Sequence, residues 1–270
     1  MSPLWRDELA IYLAPRKIAL ARRPRGVRPR VSVAAEVAVP DGSIADSAPA
    51  LAKLAEVLNE PTWHDASVRI VIADPWARFA IVPPAASRLD AQGHQAHARY
   101  LLADTYGDGL ADWIVALEDK APGRMSVACA MPSGLKPALE DMFSPRRLNL
   151  VSMQPQLVVA YNAWRRHLPR DDAWFVTLED GWLSAVHVAK GAWDRVHMAR
   201  LSSDPGVELE RLQAFGRLTR ASGAGRMFVE APLWLRERAK RTGSDIEWLE
   251  ADEANGGSPH ELALLLRANA

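Results

Sequence analysis

The stretch Trp174–Leu201, WFVTLEDGWLSAVHVAKGAWDRVHMARL, decides the fold. Apolar residues dominate Trp174–Glu179 and Trp182–Ala189, and Asp180-Gly181 stands between them. Asp-Gly between two such runs predicts a two-residue β-hairpin, because glycine accepts the left-handed backbone that these turns demand. Lys190-Gly191 then turns the chain into a third strand, Trp193–Leu201. Beyond it the pattern predicts a helix carrying Val207, Leu209, Leu212, Phe215 and Leu218, then a strand at Met227–Glu230. A helix at Leu233–Lys240 and a strand at Asp245–Leu249 follow. The last helix opens with Ser258-Pro259-His260-Glu261, a capping box with proline at the first helical position. Residues 174–268 therefore spell βββαβαβα.

Working outward, the first part of the chain repeats that order. Leu9–Leu13, Lys17–Ala21 and Val31–Val37 read as strands, joined by Ala14-Pro15-Arg16 and the turn-rich Arg22–Arg30. Pro49–Asn59 spaces Leu51, Leu54, Ala55 and Leu58 as an amphipathic helix. Val68–Ala73 and Ala77–Val82 are β-rich runs separated by Asp74-Pro75, and Ser87–Tyr106 is helical up to Gly107. Trp113–Glu118 and Met125–Ala130 flank the turn Asp119–Arg124. Leu135–Phe143 is a helix, Leu148–Met153 a strand, and Pro155–Leu168 a helix with proline in its first turn. With the block 68–118 set aside, βββαβαβα appears again. The expected organisation is α/β: residues 1–67 with 119–170 form one half, 68–118 an inserted α+β subdomain, and 171–270 the second half.

Composition narrows the function classes. The 270 residues carry 33 basic and 33 acidic side chains, a formal charge of zero, so the electrostatic footprint of a general nucleic-acid binder is missing. A single cysteine, Cys129, excludes an internal disulfide and a cysteine-cluster metal site, and reads as a small core residue. No apolar run approaches the roughly 20 residues of a membrane span. With no secretory pattern at Met1–Glu8, the expectation is a soluble, cytoplasmic protein.

The duplicated layout with an insertion in its first copy resembles the actin-like (ribonuclease H-like) ATPase superfamily. Within it the chain is similar to the bacterial branch serving type IV pilus assembly (PilM-like) and to the cytoplasmic domain of the L component of type II secretion. The likeness is strongest over Met125–Met131, the helix Leu135–Phe143, Leu148–Met153, Gln154-Pro155, and the helix through Tyr161-Asn162-Ala163-Trp164, which leads into the second hairpin. It covers most of the chain and consists of layout and apolar pattern, without a signature motif.

The resemblance implies two phosphate-gripping hairpin turns, each with small residues whose N–H groups converge on an anion, and an Asp to hold metal-bound water. Those requirements are not met here. The first turn holds Pro15, which has no N–H, and Arg16, with no carboxylate beside them. The family's Asp-x-Gly falls on Thr177-Leu178-Glu179, and Asp180-Gly181 suffices only for a tight turn. The adenine-side Gly-Gly is replaced by Ala231-Pro232. No catalytic residue, cofactor or metal is expected, and the chain reads as a pseudo-ATPase.

Other candidates weigh less. Ser222-Gly223-Ala224-Gly225-Arg226 leaves a helix and enters a strand, the wrong context for a phosphate loop. His94 and His97 lie three apart without complementary ligands. Arg22, Arg23 and Arg25 open a run of five arginines in nine positions, set against five carboxylates in Asp245–Glu253. That run suits an acidic partner or lipid heads, or a solvated connection between edge strands. Trp76, Arg78 and Phe79, bounded by Pro75 and Pro83-Pro84, suit a groove edge that takes an extended peptide, or else the two rings are core.

The expected role is a non-catalytic adaptor of a pilus or type II secretion platform. The resemblance implies that it binds the cytoplasmic tail of a single-span inner-membrane protein and relays the state of a separate assembly motor ATPase. It would then sit at the inner membrane only through that partner, with no nucleic acid. The alternatives are a divergent actin-like ATPase or small-molecule kinase, and an α/β interaction domain unrelated to actin.

Overall fold

Leu9, Ala10, Ile11 and Leu13 are all fully buried. Side chains alternate across a strand, so burial at consecutive positions requires cover on both faces, as in the centre of an α/β sheet. A computed structural model describes residues 6–24, 26, 31–40, 42–44, 46–84, 89–118, 124–179, 181–218, 225–239 and 246–250, and places that run in β1 (Asp7–Leu13). β1 pairs antiparallel with β2 (Lys17–Arg23), which pairs with β3 (Val33–Ala38). The chain returns through α1 (Ala48–Val57) into β4 (Ala66–Ile72), parallel to β1, with Leu13 opposite Ile72. After a long excursion, α3 (Leu135–Phe143) leads to β8 (Asn149–Pro155), parallel to β4. The strand order is β3-β2-β1-β4-β8. Arg146 fastens the helices of this sheet by donating to Leu58 O and Asn59 Oδ1 just past α1 and to Met142 O in α3.

The second sheet repeats the diagram. β9 (Ala173–Glu179), β10 (Trp182–Ala189) and β11 (Ala192–Arg200) form the antiparallel meander. α5 (Pro205–Leu218), β12 (Arg226–Glu230), α6 (Leu233–Ala239) and β13 (Ile246–Leu249) follow, with β12 parallel to β9 and β13 parallel to β12. The order β11-β10-β9-β12-β13 matches the first sheet strand for strand. The duplication is therefore real at the level of topology. Trp174, Val176, Leu178, Leu183, Ala185, Met227 and Val229 turn one face of this sheet toward Leu209 and Leu212 of α5 and Leu235 of α6, forming its core.

The excursion after β4 is a three-stranded sheet, β5 (Arg78–Val82), β7 (Ser126–Pro132) and β6 (Trp113–Leu117), in the order β5-β7-β6. α2 (Ala91–Tyr106) covers one of its faces with Ala98 and Leu102 against Ala80, Val82, Ala128 and Ala130. The Asp90 carboxylate caps α2 by accepting from Gly93 N at 2.7 Å.

These assignments move the boundaries expected for the insertion. Residues 68–72 belong to the central parallel strand β4 and not to the insert, because Val68, Ile70, Val71 and Ile72 are buried within the five-stranded sheet. The strand expected at Met125–Ala130 is β7, which begins at Ser126 and is the middle strand of the small sheet, and not part of the first half's main sheet. The insertion thus separates β4 from α3 and spans 78–132 instead of 68–118. By packing, the chain divides into one unit of residues 1–76 and 133–163 and another of 77–132 and 164–250. The expected final helix at 258–268 lies outside the described residues.

Candidate functional site

The first hairpin turn is closed. Ala14 N–H donates to Lys17 O at 3.0 Å, leaving a two-residue loop of Pro15 and Arg16. Arg16 O is taken by Val39 N–H at 2.8 Å, so the chain after β3 lies across the turn. Gly42 presses on it so tightly that a Cβ there would stand inside the van der Waals shell of the Pro15 carbonyl. Pro15 is buried and offers no N–H, and Arg16 is an exposed residue. An anion-binding nest needs consecutive free amides, and this turn presents none from proline.

The second turn joins Glu179 to Trp182 as cross-strand partners. Gly181 there has φ +77°, the left-handed conformation expected of it, and its carbonyl accepts from Leu201 N–H at 3.0 Å. Asp180 lies outside the described residues, as do Arg25 and residues 222–224 of the glycine-containing loop. Thr177 is buried, and its Oγ1 donates to Ser184 O at 3.4 Å. Ala231 and Pro232 are buried at the start of α6, where Pro232 O accepts from Leu235 and Arg236 N–H.

Two groups of buried polar residues stand at the carboxyl ends of the parallel strands, where open α/β sheets place their ligand sites. In the unit of residues 1–76 and 133–163, Asp74 follows β4, and its Oδ1 accepts from Leu157 N–H at 3.0 Å in the first turn of α4 (Gln156–Trp164). A carboxylate at that position complements the positive end of the helix dipole. Gln156 beside it is buried, with Oε1 unpaired. In the other unit, Ser184, Thr177 and Glu230 lie side by side across β10, β9 and β12, with Glu179 two residues beyond Thr177. All four are buried on the face opposite Trp174 and Val176, and Ser184 Oγ has no partner. Sequence reasoning singled out Thr177 and Glu179 but missed Ser184, Glu230, Asp74 and Gln156. The available signal was a carboxylate closing an apolar run, Met227–Glu230, where period-2 reading expects another core residue.

A buried histidine adds a polar clasp. His187 on β10 is fully enclosed, with Nδ1 3.1 Å from Asp194 Oδ2 and Nε2 3.8 Å from Asp172 Oδ1. The β10–β11 register shifts between His187 and Val188, so Asp194 is the extra residue of a β-bulge aimed at the ring. Burial lowers the pKa of His187, Asp194 opposes that shift, and Arg195 adds to it.

Of the expected partner-binding residues, the two rings are buried. Trp76 is buried, and Phe79 is buried on β5 with its ring edge-on to Trp193 of β11. Arg78 is half-buried between the Tyr106 and Trp113 rings, at 5.6 and 5.4 Å from their centroids, and donates to Ala77 O at 2.7 Å. Burial lowers its pKa and raises that of Tyr106, whose hydroxyl donates to Phe79 O. The β5 face expected to hold a peptide therefore packs against the protein's own β11. Arg22 donates to both Asp7 and the carbonyls of Thr62 and His64, and Arg23 pairs with Glu8, which also meets Arg69 at 3.0 Å. Both guanidiniums are spent on contacts that tie the β1–β2 ladder to its surroundings. His94 Nδ1 sits 3.0 Å from Asp90 O of its own helix turn.

No family model and no curated protein matches the sequence. Solved structures do match. The cytoplasmic domain of EpsL, an inner-membrane component of the type II secretion system of Vibrio cholerae, aligns over 97% of this chain and 94% of its own, at 13% identity and TM-score 0.58. The PilM–PilN type IV pilus biogenesis complex aligns over 97% and 98%, at 13% identity and TM-score 0.67. A Bacteroides thetaiotaomicron protein of actin-like ATPase fold and unknown function aligns over 97% and 96%, at 13% identity and TM-score 0.62. At these identities the likeness is one of fold, and with the repeated strand order it establishes a duplicated actin-like architecture.

Proposed function

We propose that this chain is a non-catalytic adaptor on the cytoplasmic side of an inner-membrane assembly platform of the type IV pilus or type II secretion kind. In this reading it holds the cytoplasmic tail of a single-span membrane protein, is peripheral to the membrane through that partner, and passes on the state of a separate motor ATPase. The observation that supports the pseudo-ATPase part is the first turn, where Pro15 has no N–H to give a phosphate and Gly42 lies against the Pro15 carbonyl. Support for the setting comes from the fold shared with the EpsL cytoplasmic domain and with PilM–PilN. Titration calorimetry with Mg-ATP tests it: the expectation is no binding heat at millimolar nucleotide, and a micromolar Kd would overturn it.

A second reading, a divergent actin-like ATPase or small-molecule kinase, is favoured by one observation. Ser184, Thr177, Glu230 and Glu179 keep a buried polar row at the strand ends where such chemistry would sit. The same titration separates the two.

A further inference from the structure

The small sheet ends in two edge strands, β5 and β6. β5 lies against β11, whereas β6 pairs only with β7 among the described residues. Glu118 N–H donates to Val127 O, which sets the phase of the antiparallel ladder. Ile114 and Ala116 thus turn their backbone groups inward to β7, and Trp113, Val115 and Leu117 turn theirs outward. Two side chains of α2 meet the outward carbonyls. Gln95 Nε2 donates to Val115 O at 2.7 Å, and Arg99 Nη1 reaches Trp113 O at 3.4 Å. Spaced four apart, they share one helix face and stand where a further strand would lie.

Side-chain chemistry along this edge is two-sided. Trp113, Val115 and Leu117 point under α2, while Ile114 and Ala116 are exposed on the opposite face. An added strand would continue both faces, with alternate residues beside Ile114 and Ala116 and the others beside Gln95 and Arg99. Arg99 is exposed and has no carboxylate partner among the described residues.

We propose that β6 receives an extended segment of a partner protein as a fourth strand, one in which apolar residues alternate with Asp or Glu. Gln95 and Arg99 hold the edge shut until the segment displaces them, after which its backbone pairs with Trp113–Leu117 and its carboxylate pairs with Arg99. This rests on the adaptor reading and gives that partner a place and a chemistry.

The probe is a fluorescein-labelled octapeptide alternating Val and Glu, compared with one alternating Val and Lys, read by fluorescence anisotropy. Val115→Pro removes an outward N–H without touching the ladder to β7, so the fold should survive while strand addition fails. The Val/Glu peptide should bind the unaltered chain and lose at least about tenfold in affinity with Val115→Pro. Arg99→Glu, an exposed change, should switch preference to the Val/Lys peptide. Equal binding by Val115→Pro and the unaltered chain, an unchanged preference with Arg99→Glu, or no binding of the Val/Glu peptide would each overturn the proposal. Tail peptides of single-span membrane proteins encoded beside this chain separate the two readings. If one binds the unaltered chain and Val115→Pro alike, the edge assignment fails and the adaptor reading stands. If none binds, the adaptor reading fails and the Val/Glu result alone decides the edge.

Discussion

Phe79→Ala removes a ring that is only 2% exposed and stands edge-on to Trp193, with centroids 6.1 Å apart and planes at 60°. Truncating a buried Phe costs about 3–5 kcal/mol, from lost transfer energy plus the cavity left behind. For a chain of this size that lowers Tm by about 6–20 °C, at roughly 2–4 °C per kcal/mol. Trp193→Ala should cost a similar amount, since that ring is also buried. The double variant should fall short of the sum by about 0.5–1.5 kcal/mol, the specific share of an aromatic pair. Urea unfolding followed by far-UV circular dichroism gives all four corners of the cycle. A Phe79→Ala cost below about 1 kcal/mol would refute the reasoning, because only a solvent-facing ring comes out so cheaply. In that event β5 regains its candidacy as a partner groove.

Further outcomes follow from other contacts. Gly42→Ala should destabilise by at least about 1–3 kcal/mol in a thermal melt, because the Pro15 carbonyl is backbone and cannot step aside. Arg22→Ala should cost about 1–3 kcal/mol through the loss of charged hydrogen bonds to Asp7, Thr62 and His64, and should leave sedimentation with anionic vesicles unchanged. Since burial depresses the pKa of His187, the fold favours its neutral form. Stability from this group is therefore present above the unfolded pKa near 6.5 and drains away as pH falls below it. His187→Gln should flatten the acid limb of a urea-midpoint against pH profile, leaving the part owed to His197, which burial shifts the same way.

How much of this was legible in the sequence depends on the kind of signal. Asp180-Gly181 and Lys190-Gly191 punctuate the second meander, and β9, β10 and β11 fall within a residue or so of their expected bounds. The second meander was readable because it rests on local period and turn chemistry, whereas the string expected for the first half counted Met125–Ala130 in the place that β4 takes. Partnership between strands was not. Val68–Ala73 and Ala77–Val82 look alike as apolar runs, yet a single helical turn at Asp74–Trp76 sends one into the large sheet and the other into the small one. The same limit hid the polar row, since Ser184 and Glu230 become neighbours of Thr177 only through strand register. Arginine density at Arg22-Arg23 suggested an outward role, but Asp7 and Glu8, fifteen residues earlier, absorb both charges. The edge guarded by Gln95 and Arg99 needed the ladder's phase, which no composition reveals.

The insertion is encoded within the first half but packs with the second, and this governs how the polypeptide can be divided. A fragment stopping at residue 170 would retain Phe79 and lose Trp193, leaving the small sheet with a bare apolar flank. A complementary piece starting at Ala173 would carry β11 with nothing to cover it. Dissection by gene halves should therefore yield sticky products. Excising 78–132 as a cassette would meet the same difficulty, so neighbouring stretches of this protein are best studied within the intact chain.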